Sequence, residues 1–105
     1  MNEQTLRLLE KALTVSPEDW ETRAGLLGNL LAAGRSERAA EILRAAPAVP
    51  VEEAAQLLKA EVELAAGVPA DALVTLDALL ARNRACACAY LLSARACRAL
   101  GCRDD

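Results

Sequence analysis

The chain has no histidine and no phenylalanine, and its aromatic residues amount to 2%, represented by Trp20 and Tyr90. Without histidine, the commonest general base near neutral pH and the commonest metal ligand are both missing. Without an aromatic stock, the interior must be assembled mainly from Leu, Ala and Val, and side chains of that size let helices pack closely. Charge of one sign is not in excess either: 12 Lys and Arg stand against 15 Asp and Glu, for a formal net charge of −3. A nucleic-acid binder needs a basic stripe, so no nucleic acid is expected as a partner. No apolar run approaches the roughly 18 residues of a membrane-spanning helix, and Met1-Asn2-Glu3-Gln4 has neither the positive flank nor the apolar core of a signal peptide. The expectation is a soluble, cytoplasmic protein with no membrane partner.

Catalytic constellations are absent from the pattern as well. There is no phosphate-cradling glycine loop, and the carboxylates are spread over polar helix faces, so the chain is not expected to be an enzyme and no cofactor is implied. Cys86, Cys88, Cys97 and Cys102 invite a metal or redox reading that helical geometry opposes. Cys86 and Cys97 share a face but lie about three turns apart, roughly 16 Å, which is beyond disulfide reach, and Cys88 points to another side. The spacing is not that of a zinc ribbon. In a reducing compartment these thiols are expected to pack as small apolar residues, with Cys102 the one most exposed to reaction.

What the chain does contain is helix-forming material and a period. Roughly a quarter of its 105 residues are alanine, and no β-branched run of four or more interrupts them, so an all-α fold is expected. Gly34, Gly67 and Gly101 stand 33 and 34 residues apart, each after a run rich in leucine and alanine. A period near 34 residues marks a helix-turn-helix solenoid, with room here for about three units.

Six helices follow from the punctuation. The first covers 3–14, with Leu6, Leu9 and Leu13 on one stripe widened by Leu8 and Ala12. In Ser16-Pro17-Glu18-Asp19, serine caps a second helix, proline takes its first position and the acidic residues meet its positive end. That helix runs to Ala33 and stops at Gly34 in the left-handed conformation. Ser36 caps a third helix through Ala46, carrying Ala39, Ala40, Ile42 and Leu43, and the Pro47 to Pro50 stretch ends it. The fourth runs from about Val51 to Ala66, the fifth opens at Pro69 and Asp71 and fades at Asn83, and the sixth spans roughly Ala85 to Leu100. Short turns make these antiparallel neighbours. Trp20 and Tyr90, near helix starts, are expected to be core plugs.

The segment Trp20 to Pro47 resembles one full unit of the tetratricopeptide repeat family. Leu26, Leu27, Leu30 and Leu31 fill its first helix, Gly34 makes the turn, Ala39 and Leu43 pack the second, and Ala46 closes it. Gly67, Ala72 and Leu76 repeat those offsets in the next unit, with Ala60 as the small residue of its first helix. Leu9, Ala12 and Pro17 match the end of a preceding unit, and Ala94 and Gly101 the first helix of a following one. The resemblance implies a single domain over 1–105, a right-handed superhelical solenoid of about six antiparallel helices. Its half unit is 3–15, its full units are about 17–47 and 50–82, and its final half unit is 85–102. Three residues depart from the family: Arg23, Lys59 and Glu63 stand where it buries apolar side chains. Glu52, Gln56, Lys59 and Glu63 share one narrow stripe, which predicts a fourth helix rotated relative to a standard repeat.

By the same resemblance, the first helices of successive units line a concave groove that holds an extended or helical peptide. Carried onto this chain, the groove comprises Glu21, Ala24, Gly25, Gly28 and Leu31, then Leu57, Glu61 and Leu64, then Leu91, Arg95 and Arg98. The Lys and Asn set with which some members clamp the C-terminal carboxylate of chaperone tails is missing. A surface smooth at one end, leucine-lined in the middle and basic near Arg95 and Arg98 suits an amphipathic or acidic partner segment. Glu61 either reaches solvent or Arg95, or touches a ligand. Gly28 costs about 1 kcal/mol relative to alanine in mid-helix, offset either by close helix packing or by a ligand against its backbone.

The apolar surface of the sixth helix, spread over Tyr90, Leu91, Leu92 and Leu100, has no following helix to cover it. Solenoids end in polar-faced caps, so the chain is expected to be part of a longer protein or to self-associate through 85–100. The leading reading is therefore a non-catalytic scaffold for protein–protein contact. Its rivals are a regulatory or oligomerising segment of a larger ATPase-like or thioredoxin-like protein, by analogy of such alanine-rich repeats, and a thiol redox or metal protein.

Overall fold

The computed structural model describes residues 3–101. They form α1 (Glu3–Val15), α2 (Trp20–Ala32), α3 (Ser36–Arg44), α4 (Glu53–Ala65), α5 (Pro69–Arg82) and α6 (Ala87–Leu100), and no strand occurs among them. Every sequential pair of helices packs together, α3 and α4 included across the Pro47–Pro50 stretch. The radius of gyration, 14.2 Å, exceeds the roughly 13 Å of a globular domain this long, and the extents of 48 × 26 × 19 Å describe a stack.

The glycines do what their spacing demands. Gly34 and Gly67 have φ of 75° and 83°, a region that costs a residue with a Cβ about 1–2 kcal/mol. Each follows its helix by two residues and sits in the same two-bond closure. The Gly34 and Arg35 amides donate to the Leu31 and Leu30 carbonyls, and the Gly67 and Val68 amides to those of Leu64 and Glu63.

The N-terminal ends differ from the sequence expectation. Ser16 does not cap α2. Residues Ser16 to Asp19 form a turn in which the Asp19 amide donates to the Ser16 carbonyl, and the helix begins at Trp20 behind an Asp19 cap. The Asp19 carboxylate accepts from the Thr22 hydroxyl at 2.8 Å and the Thr22 amide at 3.5 Å, so the cap lies three residues later than Ser16. Ser36 is likewise inside α3 and not its cap, Arg35 holding that position without a side-chain bond. The third helix stops at Arg44, the fourth starts at Glu53 and the sixth at Ala87, each about two residues short of the spans expected from the sequence.

Two clusters make up the interior. The first joins α1, α2 and α3 around Leu6, Leu13, Leu26, Leu27 and Leu30, and reaches Val62 of α4. The second joins α4, α5 and α6 around Ala60, Leu76, Leu79, Ala89 and Leu92. Trp20 packs against the edge of the first, whereas Tyr90 is 52% exposed and plugs nothing. Leu8 is 60% exposed and Ala12 is exposed, so α1 buries a narrower stripe than expected: α2 is the one helix it packs on.

The three residues that depart from the apolar register are accommodated without turning their helices away. Arg23 is 3% exposed and its guanidinium donates to the Ile42 carbonyl of α3 and, at 2.9 Å, to the Pro17 carbonyl. Lys59 and Glu63 face α5, where Lys59 Nζ donates to Thr75 Oγ1 and Thr75 Oγ1 donates to Glu63 Oε1, both at 2.8 Å. Of the polar stripe on α4, Lys59 and Glu63 thus form a satisfied seam with α5, while Gln56 donates to the Pro50 carbonyl at 2.8 Å.

Candidate functional site

The helices alternate in how they meet. α2 packs on α4 and α4 on α6, whereas the backbones of α1 and α3 stay apart, bridged by side chains alone, and so do those of α3 and α5. Helices in mutual contact lie on the inside of a curved stack and separated ones on its outside, so α2, α4 and α6 form the inner row. All eleven residues expected to line a groove belong to that row.

Along α2, Glu21, Gly25 and Gly28 are exposed while Ala24 and Leu31 are half-buried, Leu31 against the first cluster. A Cβ built on Gly28 meets nothing within 4 Å, so close helix packing does not explain that glycine. On α4, Leu57 and Leu64 pack against the second cluster and show only their edges, while Glu61 is exposed. On α6, Leu91 is 67% exposed beside the exposed Arg95 and Arg98.

Four of these residues converge. Glu61, Leu91, Arg95 and Arg98 line one cleft between α4 and α6, together with Cys88, Leu92 and Ala94. The cleft joins an apolar strip to two guanidinium groups. Glu61 stands at its rim, and the ion pairs among the described residues do not include one to Arg95. The structure places the α2 residues away from this cleft. Cys88 was missed as a lining residue, although 88, 91, 95 and 98 follow the helical i, i+3, i+7 spacing that would have found it.

The cysteines divide three ways. Cys86 is buried in the second cluster, Cys97 is half-buried, and Cys88 is exposed, contrary to the expectation that it packs. Cys102 lies outside the described residues. The Glu53 carboxylate beside the Cys86 thiol, helped by desolvation, raises its pKa above the usual thiol value. That is opposite to the activation a nucleophilic or redox cysteine requires. Among the described residues no group of three or more His, Cys, Asp or Glu side chains is arranged to hold a metal ion. No helix there is long and apolar enough to cross a membrane.

A family model described as tetratricopeptide repeat matches residues 2–62, which takes in α1 to α3 and most of α4. No curated protein and no solved structure matches the chain.

Proposed function

From the premise that this chain belongs to the tetratricopeptide repeat family, we propose that it is a non-catalytic scaffold holding a peptide or helical segment of a partner protein along α2, α4 and α6. Repeats of this family mediate protein–protein contact. The observation that carries the finer reading is the α4–α6 cleft, where a leucine left two-thirds exposed lies beside Arg95 and Arg98.

An acidic amphipathic segment suits that chemistry. Its apolar side chains would cover Leu91 and Leu92, and its carboxylates would accept charge-assisted hydrogen bonds from the two guanidinium groups. Further along the row, Gly25 and Gly28 leave the α2 backbone uncovered, so a ligand could run close over it. A pull-down with the purified chain, set beside a Leu91→Glu/Arg95→Glu/Arg98→Glu variant, tests the reading. These side chains are exposed, so the variant keeps its fold; partners retained at undiminished yield would discard the groove.

One observation favours a second reading, self-association through α6. Counting 34 residues on, Lys59 and Glu63, which α4 turns towards α5, and Gln56 one turn before Lys59 become Ser93, Cys97 and Tyr90, and α6 has no helix after it among the described residues to cover Tyr90. Sedimentation over a hundredfold concentration range distinguishes the two, since a constant monomer mass is incompatible with self-association.

A further inference from the structure

The outer side of the solenoid has two gaps built from equivalent positions and closed differently. Between α1 and α3, Arg35 bonds Glu3, and Arg38 meets Glu10 at 3.0 Å. The cleft there, lined by Glu10, Leu13, Arg38 and Ile42, is thus crossed by cations that α3 and its cap reach towards carboxylates of α1. One repeat later, 33 residues on, Glu3 and Glu10 become Ser36 and Leu43, while Arg35 and Arg38 become Val68 and Asp71. All four bridging groups are replaced.

The second gap, between α3 and α5, is a groove floored by Ala40, Leu43, Val62 and Ala66, with Val68 at its mouth. Its banks are acidic: Glu37 and Glu41 come from α3, Asp71 from α5 and Glu63 from α4, against the single cation Arg44. Glu63 is already bonded to Thr75 and Lys59. Glu41 meets Arg38 only at 3.9 Å, on an exposed surface, and no ion pair of Glu37 or Asp71 occurs among the described residues. Leucine at the position of Glu10 makes the floor apolar, while the carboxylates on both banks lack the bridging cation that the first gap supplies from its own chain.

We propose that this outer groove docks a cationic, leucine-bearing segment of a partner protein. Its arginine or lysine sits between Glu37, Glu41 and Asp71, as Arg38 sits against Glu10 one repeat earlier, and its leucine covers Ala40 and Leu43. Charge complementarity selects this occupant: an acidic segment would face Glu37, Glu41 and Asp71 with only Arg44 of opposite sign in the groove, and a purely apolar one would leave Glu37 and Asp71 without an ion pair. The groove opens on the outer side, between α3 and α5, and shares no lining residue with the α4–α6 cleft, so it and the inner-row reading stand or fall separately.

The probe is the octapeptide Arg-Leu-Ala-Arg-Leu-Leu-Ala-Arg, titrated into the isotope-labelled full chain and followed by amide chemical shifts. Shifts should gather at Ala40, Leu43, Ala66 and Val68, and a peptide with glutamate in place of arginine should cause none. Affinity should fall about tenfold in a Glu37→Gln/Glu41→Gln/Asp71→Asn variant, and less than twofold when the same charge is removed elsewhere by Glu18→Gln/Glu52→Gln/Asp77→Asn. Equal losses in the two variants would reduce the effect to net charge and overturn the proposal. So would shifts confined to Glu61, Leu91 and Arg95, the absence of any shift, or groove shifts that appear with protein concentration alone, which would make the occupant a second copy. The unmodified chain supplies the mapping readout, so the test does not depend on how the variants fold.

Discussion

The hydroxyl of Thr75 on α5 accepts a hydrogen bond from the ammonium of Lys59 on α4 at 2.8 Å. The same hydroxyl donates to Glu63, one turn beyond Lys59, whose carboxylate lies 3.3 Å from the ammonium. A lone hydroxyl, itself buried, thereby lets one interface take both charges of an i, i+4 pair. A half-buried ion pair of this kind contributes modestly by itself, because desolvation offsets attraction; what is costly is to leave one member alone.

Lys59→Met should therefore destabilise the chain by about 1–3 kcal/mol, since Glu63 loses its partner in a partly buried site. Replacing the whole seam, Lys59→Leu with Glu63→Leu and Thr75→Val, should be neutral or stabilising. Urea unfolding decides between these signs, and a triple variant less stable than Lys59→Met would refute the account.

Two glycines should respond in opposite directions. Gly34 is held at φ 75°, so Gly34→Ala should cost about 1 kcal/mol. Gly28 lies inside α2 with open space where a Cβ would go, so Gly28→Ala should add about 1 kcal/mol. Thermal melts of the two variants read the sign directly. If Gly28→Ala stabilises the chain yet weakens partner capture, the glycine is kept for the uncovered backbone it presents.

Thiol reactivity should follow environment. Cys86, buried and raised in pKa by Glu53, should resist iodoacetamide in the folded chain near neutral pH, while the exposed Cys88 reacts at an ordinary rate. Mass spectrometry of partly alkylated protein gives the order. Glu53→Gln should bring the Cys86 pKa down and speed its labelling; no change would show that burial alone protects it.

Acid should weaken the amino-terminal part. Bonds from the Thr22 hydroxyl and amide lower the Asp19 pKa, and the Arg35 hydrogen bond lowers that of Glu3. Both carboxyls bind protons more weakly folded than unfolded, so their contribution is complete above the unfolded values near pH 4 and is lost as pH falls through the folded ones. Asn caps a helix as well as Asp does, so Asp19→Asn should keep the stability near pH 7 and flatten its decline below pH 4. Melting temperatures from pH 6 to pH 3 give the comparison; an unchanged slope would remove Asp19 from the explanation.

The number and order of the helices and the turns at Gly34 and Gly67 were legible because they rest on local demands, a left-handed residue at each of these two turns and apolar spacing between them. The start of α2 was not. Ser16 and Asp19 both suit a cap, and local pattern does not choose between them; in the fold Asp19 caps, while Arg23 donates to the Pro17 carbonyl inside the turn. Leu8 and Tyr90 were misjudged because periodicity gives the width of an apolar stripe and not which flank has a neighbour. Equivalent positions show it for Leu8: Glu41 and Val74, at the same register one and two repeats on, are also exposed. For the inner row, the resemblance put the eleven residues on α2, α4 and α6, but the convergence of four of them between α4 and α6 required knowing which helices touch. The seam through Thr75 was hidden for a related reason, since its polar members sit 16 and 12 residues apart.

The interior is divided between two clusters, and α4 is the one helix in both, giving Val62 to the first and Ala60 to the second, two residues apart on opposite sides of the same turn. Cooperativity in this molecule is therefore carried by a party wall. Loosening of α1 can spread through α2 and α3 and stop at Val62, and loosening of α6 can spread through α5 and stop at Ala60. A lesion in α4 has no such firebreak, because it removes a side from both rooms at once.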